Sequence, residues 1–126
     1  EERLPGACRP IPRLVRMVRS LVGDEQRLAV VTNNTTPVTL LALSYADLRA
    51  NFSAFVTGGD GCPKPAPDLW LLAAQALGVP PTACLAIDND PVVLASVAPH
   101  GMRTLCTSIQ ALCYEQVRAV LEKEIQ

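Results

Sequence analysis

Three stretches of this chain set polar side chains at the ends of apolar runs or between prolines. Thr32 and Asn33 follow "LAVV", Lys64 sits in "CPKPAP", and Asp88, Asn89 and Asp90 follow "ACLAI". Together they offer a hydroxyl and an amide, one cation, and one or two carboxylates. A phosphate monoester site asks for that set: donors for the phosphoryl oxygens, a fixed cation, and hard oxygen ligands for magnesium. An obvious nucleophile is missing from it. Lys64 precedes Pro65, which biases it toward extended geometry, and Pro63 fixes the backbone on its other side. Its ammonium is thereby carried on a stiff, non-helical segment. Each piece also has a plainer explanation. Lys64 could be a solvated loop lysine, Thr-Asn after a strand is common turn chemistry, and Asp88 or Asp90 could cap a helix that Pro91 begins. Taken singly, the plainer explanations are stronger. Taken jointly, the site is favoured, because the elements around these residues bring them to one place.

Those elements alternate. "RLVRMVRSLV" (13–22) has helical spacing, with Leu14, Val15, Val18, Leu21 and Val22 on one face and Arg13, Arg16 and Arg19 opposite. The arginine stripe reads as a solvated face. The run 28–32 is a short buried strand, 37–49 a helix opened by Pro37, and 54–59 a weaker strand. A third helix spans 67–78, with Pro67 at its first position and Gly78 as its C-terminal cap. The run 83–88 is another buried strand, 91–98 a short helix, 102–106 a last strand and 109–124 a closing helix. This order predicts an α/β fold: a Rossmann-like three-layer core around a parallel sheet. In such sheets ligands bind beyond the carboxyl ends of the strands, where the Thr32, Lys64 and Asp88 loops converge.

Composition narrows the field. At 126 residues, 49 % of them apolar, the chain is sized for one core domain, residues 1–126. A formal net charge of −1 gives no basic field for nucleic acid or anionic lipid, and no run reaches membrane-spanning length. Cys8, Cys62, Cys84, Cys106 and Cys113 lack close metal spacing. Their odd number, without a secretory core in "EERLPGACRP", points to reduced thiols in a cytoplasmic protein. His100, the one histidine, reads as part of a turn before a strand.

"LAVVTNNT", "KPAPDLWLLAAQALGVPPTACLAIDND" and "APHGMRTL" resemble the second, third and fourth motifs of the haloacid dehalogenase-like hydrolases. The likeness covers about residues 5–107 and is greatest to phosphoglycolate phosphatases and β-phosphoglucomutases. It implies that Thr32 and Asn33 bind phosphate, that Lys64 steadies phosphate and nucleophile, and that Asp88 and Asn89 help hold Mg2+. The implied substrate is a small phosphorylated metabolite and the implied reaction is phosphate monoester hydrolysis or phosphoryl transfer.

Two departures qualify it. The family's nucleophile is an aspartate in a "DxDGT"-like first motif near the N-terminus, followed by a helical cap domain, and these residues contain neither. The stronger metal-ligand position falls on Asn89, whose amide oxygen brings no charge. In the family the first-motif strand lies between those carrying the second and fourth motifs. The core is therefore expected to be N-terminally incomplete, with a missing N-terminal segment or a partner chain filling a gap in the sheet, or with the gene decayed. Strands 28–32 and 84–88 should then stand about two spacings apart, roughly 9–10 Å, and not pair at about 4.8 Å. The 126 residues alone are expected to be inactive. Two other readings compete: a non-catalytic phosphate-binding or scaffolding domain, and a receiver domain, which lacks the acid pair it would need near the first strand.

Overall fold

Local sequence sets where each element begins and stops. In the computed structural model, residues 12–33, 49–58, 60–61, 63–108 and 111–122 are described. They form α1 (Pro12–Gly23), β1 (Ala29–Val31), β2 (Ala54–Val56), α2 (Asp68–Leu77), β3 (Leu85–Asp88), α3 (Pro91–Val97), β4 (Arg103–Cys106) and α4 (Tyr114–Glu122). The helix expected over 37–49 lies outside the described residues except for Arg49, which starts a single 3-10 turn.

Helix α1 buries Val18 and Leu21 and exposes Arg16 and Arg19, as its spacing predicts, and also buries Met17, which the expected face left out. Val22 departs from the expected apolar face and is 40 % exposed. Arg13 leaves the solvated stripe, its Nε donating to the Leu112 carbonyl at 2.8 Å. Helix α2 starts one residue later than expected. Pro67 is its cap and its carbonyl accepts from the Leu71 N–H. The stop is Gly78, whose φ of 75° suits a residue without a Cβ. Helix α4 starts later than the predicted 109, because Ser108 takes the preceding segment for a turn: its carbonyl accepts from Leu112 N–H and its Oγ from Ala111 N–H. His100 ends the 3-10 turn before β4, as expected.

The fold is α/β in three layers. Leu85 and Ile87 of β3 and Leu105 of β4 pack against α1 and Val117 of α4. Ala86, between them, faces the other way, toward Trp70 and Ala74 of α2 and Val93, Leu94 and Val97 of α3. That alternation is the period of two expected of a sheet covered on both sides. On the β1–β2 side, Val56, Leu69 and Ala73 form a further cluster with Ala29 and Val31.

The sheet is in two pieces. β1 pairs with β2 in parallel, Val30 opposite Phe55, and β3 pairs with β4 in parallel, Ala86 opposite Thr104. No ladder joins β1 to β3. An apolar cavity of about 490 Å³ lies between them, walled by Ala29, Val31, Leu85 and Ile87 with Met17 and Trp70 among the helix residues. As expected from sequence, the two strands do not pair with each other. Outward hydrogen bonds involve Leu28 and Thr32 on β1, and Cys84 and Asp88 at β3. By alternation, the backbone groups of Ala29, Val31, Leu85 and Ile87 line the gap.

Candidate functional site

The carboxyl ends of β1, β2 and β3 meet where the sequence places its polar residues. Thr32 closes the β1 ladder, its N–H donating to Val56 O at 3.0 Å, so Asn33 starts the loop. The chain leaving β2 is folded against that loop. Asp60 braces it by accepting from Thr57 N–H and Thr57 Oγ1 through one carboxylate oxygen. Gly58 lies so close to Asn33 that a Cβ would collide with the Asn33 carbonyl oxygen, so only glycine fits without displacing the loop.

Lys64 joins the three strand ends. Its N–H donates to Asn33 Oδ1 at 2.8 Å, and its Nζ donates to Asp88 Oδ2 at 2.8 Å. The peptide bond from Lys64 to Pro65 is cis. The Lys64 and Asp88 side chains are 16 % and 10 % exposed, so the pair is largely withdrawn from solvent. The Nζ also lies 4.9 Å from the centre of the Trp70 ring, within cation–π range.

The β3 loop divides its acids between two tasks. Asp88 and Asp90 are spaced as a DxD pair behind an apolar strand, but Asp90 is the N-cap of α3, its Oδ1 accepting from Val92 N–H at 2.9 Å. The capping explanation therefore applies to Asp90. Asp88 Oδ1 accepts from Asp90 N–H at 3.0 Å. Burial acts to raise the Asp88 pKa. The hydrogen bond from Lys64, the Asp90 and Asn89 backbone amides and the Lys64 charge outweigh it and hold the carboxyl below its ordinary value. Asp88 thus stays ionised, with lone pairs left beyond the bonds it accepts. Asn89 adjoins it. Among the described residues no group of three or more His, Cys, Asp or Glu side chains could hold a metal ion. Asp88 and Asn89 suit a hard cation that takes most of its ligands from water and phosphate, as magnesium does, and do not form a complete cage.

Thr32, Asn33, Lys64, Asp88 and Asn89 are thus brought to one edge, with direct contacts linking Asn33, Lys64 and Asp88. Sequence reasoning missed Gly58, Asp60 and Trp70. The Gly58-Gly59 pair was a signal of close backbone approach. Nothing local marks Trp70, which reads as an ordinary core position of α2. Cys84, Cys106 and Cys113 are free thiols, and burial raises the Cys84 pKa. Cys8 and Cys62 lie outside the described residues.

A parallel α/β core thus carries a lysine between prolines, a Thr-Asn pair and an acidic loop at one sheet edge. A family model for haloacid dehalogenase-like hydrolases matches residues 1–100, and the chain belongs to that family. Protein CbbY of Rhodobacter capsulatus is 32 % identical over 101 residues, which is 77 % of this chain and 44 % of that protein. Fructose-1-phosphate phosphatase YqaB of Escherichia coli (strain K12) is 34 % identical over 94 residues, 74 % of this chain and 49 % of that one. Among solved structures, a HAD phosphatase from Thermococcus onnurineus superposes with a TM-score of 0.78 at 18 % identity, covering 88 % of this chain and 57 % of the other. At that identity the likeness concerns the fold. The chain spans about half the length of the curated relatives it matches. No described helix is long and apolar enough to cross a membrane.

Proposed function

We propose that these 126 residues are the phosphate-binding part of a phosphohydrolase core acting on a small phosphorylated metabolite, and that the attacking carboxylate comes from a strand laid in the cavity between β1 and β3. The observation that carries this is the Asn33–Lys64–Asp88 linkage at the mouth of a sheet whose middle is open. The Thr32 and Asn33 donors and the Lys64 ammonium hold the phosphoryl oxygens. Asp88 and Asn89 are the residues of this chain that would hold magnesium, which when bound neutralises phosphoryl charge.

The cavity supports a polypeptide occupant. Its long walls are the facing edges of β1 and β3, which no ladder joins among the described residues, and its side walls are apolar. The indole N–H of Trp70, on the same wall, is buried without an acceptor, a deficit that a strand's carbonyls can relieve. The occupant is a segment of the parent polypeptide, since the curated relatives carry more than half their length outside the matched region. A strand there would end beside Lys64 and Asp88, where its last carboxylate could attack a bound phosphoryl group.

Two measurements test this. Titrating the 126-residue chain with inorganic phosphate should shift the amide resonances of Thr32, Asn33 and Lys64, and Lys64→Met should abolish the response. Absence of these shifts at saturating phosphate would end the anion-site reading. The chain alone should release no phosphate from p-nitrophenyl phosphate. A chimera carrying the N-terminal part of the Rhodobacter capsulatus relative should release it. Steady release by the chain alone, lost in Lys64→Met, would show that the chain needs no outside carboxylate.

A further inference from the structure

We propose that Trp70 is a positioning residue for Lys64: its ring supports the ammonium opposite Asp88 and so fixes where the cation meets a bound anion. The proposal rests on Lys64 being the anion-binding cation. The geometry begins in the sequence. Pro67 fixes where α2 starts, and Trp70 falls three residues later, within the first turn, six residues beyond Lys64. The ring is buried, 7 % exposed, and held in a cluster with Ala74, Ala86, Val93 and Leu94. It is therefore a rigid surface. A lysine side chain is long and flexible, and an ion pair alone fixes one direction of its head group while leaving the stem free to swing. Here the ammonium has two fixed neighbours, the Asp88 carboxylate at 2.8 Å and the Trp70 ring centre at 4.9 Å. The backbone N–H of the same residue is tied to Asn33. Three contacts from three elements define the head group's place. Because the site is largely withdrawn from solvent, the ring contact acts with little screening.

The contact has a direct spectroscopic signature. In the wild-type chain the ring current of Trp70 should shift the Lys64 ε-methylene protons upfield of those of a lysine in an unfolded peptide. Unshifted ε protons would overturn the proposal whether or not phosphate binds. The second arm compares Trp70→Phe, which keeps an aromatic face, with Trp70→Leu, which keeps apolar bulk without one. Both enlarge the cavity, so melting temperatures are measured alongside. Inorganic phosphate affinity should fall roughly three- to tenfold in Trp70→Leu and by a smaller factor in Trp70→Phe, even where both are destabilised alike. Equal losses in the two variants would mean that Trp70 acts only through packing and would overturn the proposal. If wild type binds no phosphate while the upfield shift is present, it is the anion-site reading that fails, and the Lys64–Trp70 contact stands.

Discussion

The outer seams of the sheet and its inner edges are made of the same kinds of residue in different states. At the seams, β1 meets β2 and β3 meets β4 with ladders closed, and Ala54 and Val56 of β2 and Ala86 of β3 are buried. At the inner edges, Ala29 and Val31 of β1 and Leu85 and Ile87 of β3 stay half-buried, although all four are apolar. The helices on both faces do not explain the difference, since they cover both regions. What differs is the lateral neighbour. Covering helices supply side-chain burial, and only another strand supplies the backbone partners.

Side-chain truncation should break or sharpen this contrast most strongly. Leu69 is fully buried beside β2, and Leu69→Ala should cost about 2–5 kcal/mol in denaturant unfolding. Val31→Ala, at the cavity wall, should cost about 1 kcal/mol or less, because the transfer and cavity terms are already partly lost there. Similar costs per removed carbon would mean that the inner edge is as well packed as the seam.

Amide exchange reads the same contrast in the backbone. Val30, Thr32, Ala86 and Asp88 should exchange slowly, and Ala29, Val31, Leu85 and Ile87 faster, in a monodisperse monomer. Uniform strong protection across both sets would show that the two half-sheets close without another strand, and the proposed occupant would be unnecessary.

Two smaller effects separate the acids of the β3 loop. The folded-state pKa of Asp88 is lowered, so its contribution to stability is present above the unfolded carboxylate value of about 3.9 and is lost as pH falls through the lowered one. Asp88→Asn should flatten the acid limb of a stability-versus-pH curve below about pH 4. An unchanged limb would show that the Lys64–Asp88 pair does not form in solution. Asp90→Ala, removing a helix cap, should cost about 1 kcal/mol by denaturant unfolding at neutral pH and leave phosphate affinity intact. A loss of affinity there would return Asp90 to the site.

Much of this was legible residue by residue. Lys64 between prolines, the polar ends of two apolar runs, Gly78 and the Asp90-Pro91 cap each carry their reason locally. The α/β order follows from alternating periods, and the lack of a ladder between β1 and β3 was expected from the strand order that the resemblance implies. What was not legible depends on contacts far apart in sequence. Trp70 looks like any core residue of an amphipathic helix until Lys64 is seen to lie over its ring. Ser108 looks like a helix start until its carbonyl and hydroxyl are seen to hold a turn. Val22 fits the apolar stripe with Val18 and Leu21 by spacing, yet it is exposed and α1 buries Met17 beside them instead.

The divided sheet also bears on how the chain acquires structure. Each ladder joins strands that are neighbours in sequence, β1 with β2 and β3 with β4, so each half can form from contacts of moderate span without waiting for the other. What holds the halves to one another is helix packing, with α2 serving both: Leu69 and Ala73 on one side, Trp70 and Ala74 on the other. Helix α1 spans them too, packing on Leu28 and Phe52 of one half and on Leu85, Ile87 and Leu105 of the other, so the two ladders share their helical cover. A central strand arriving last would join the two ladders through the backbone as well, and the helices would no longer be their only link.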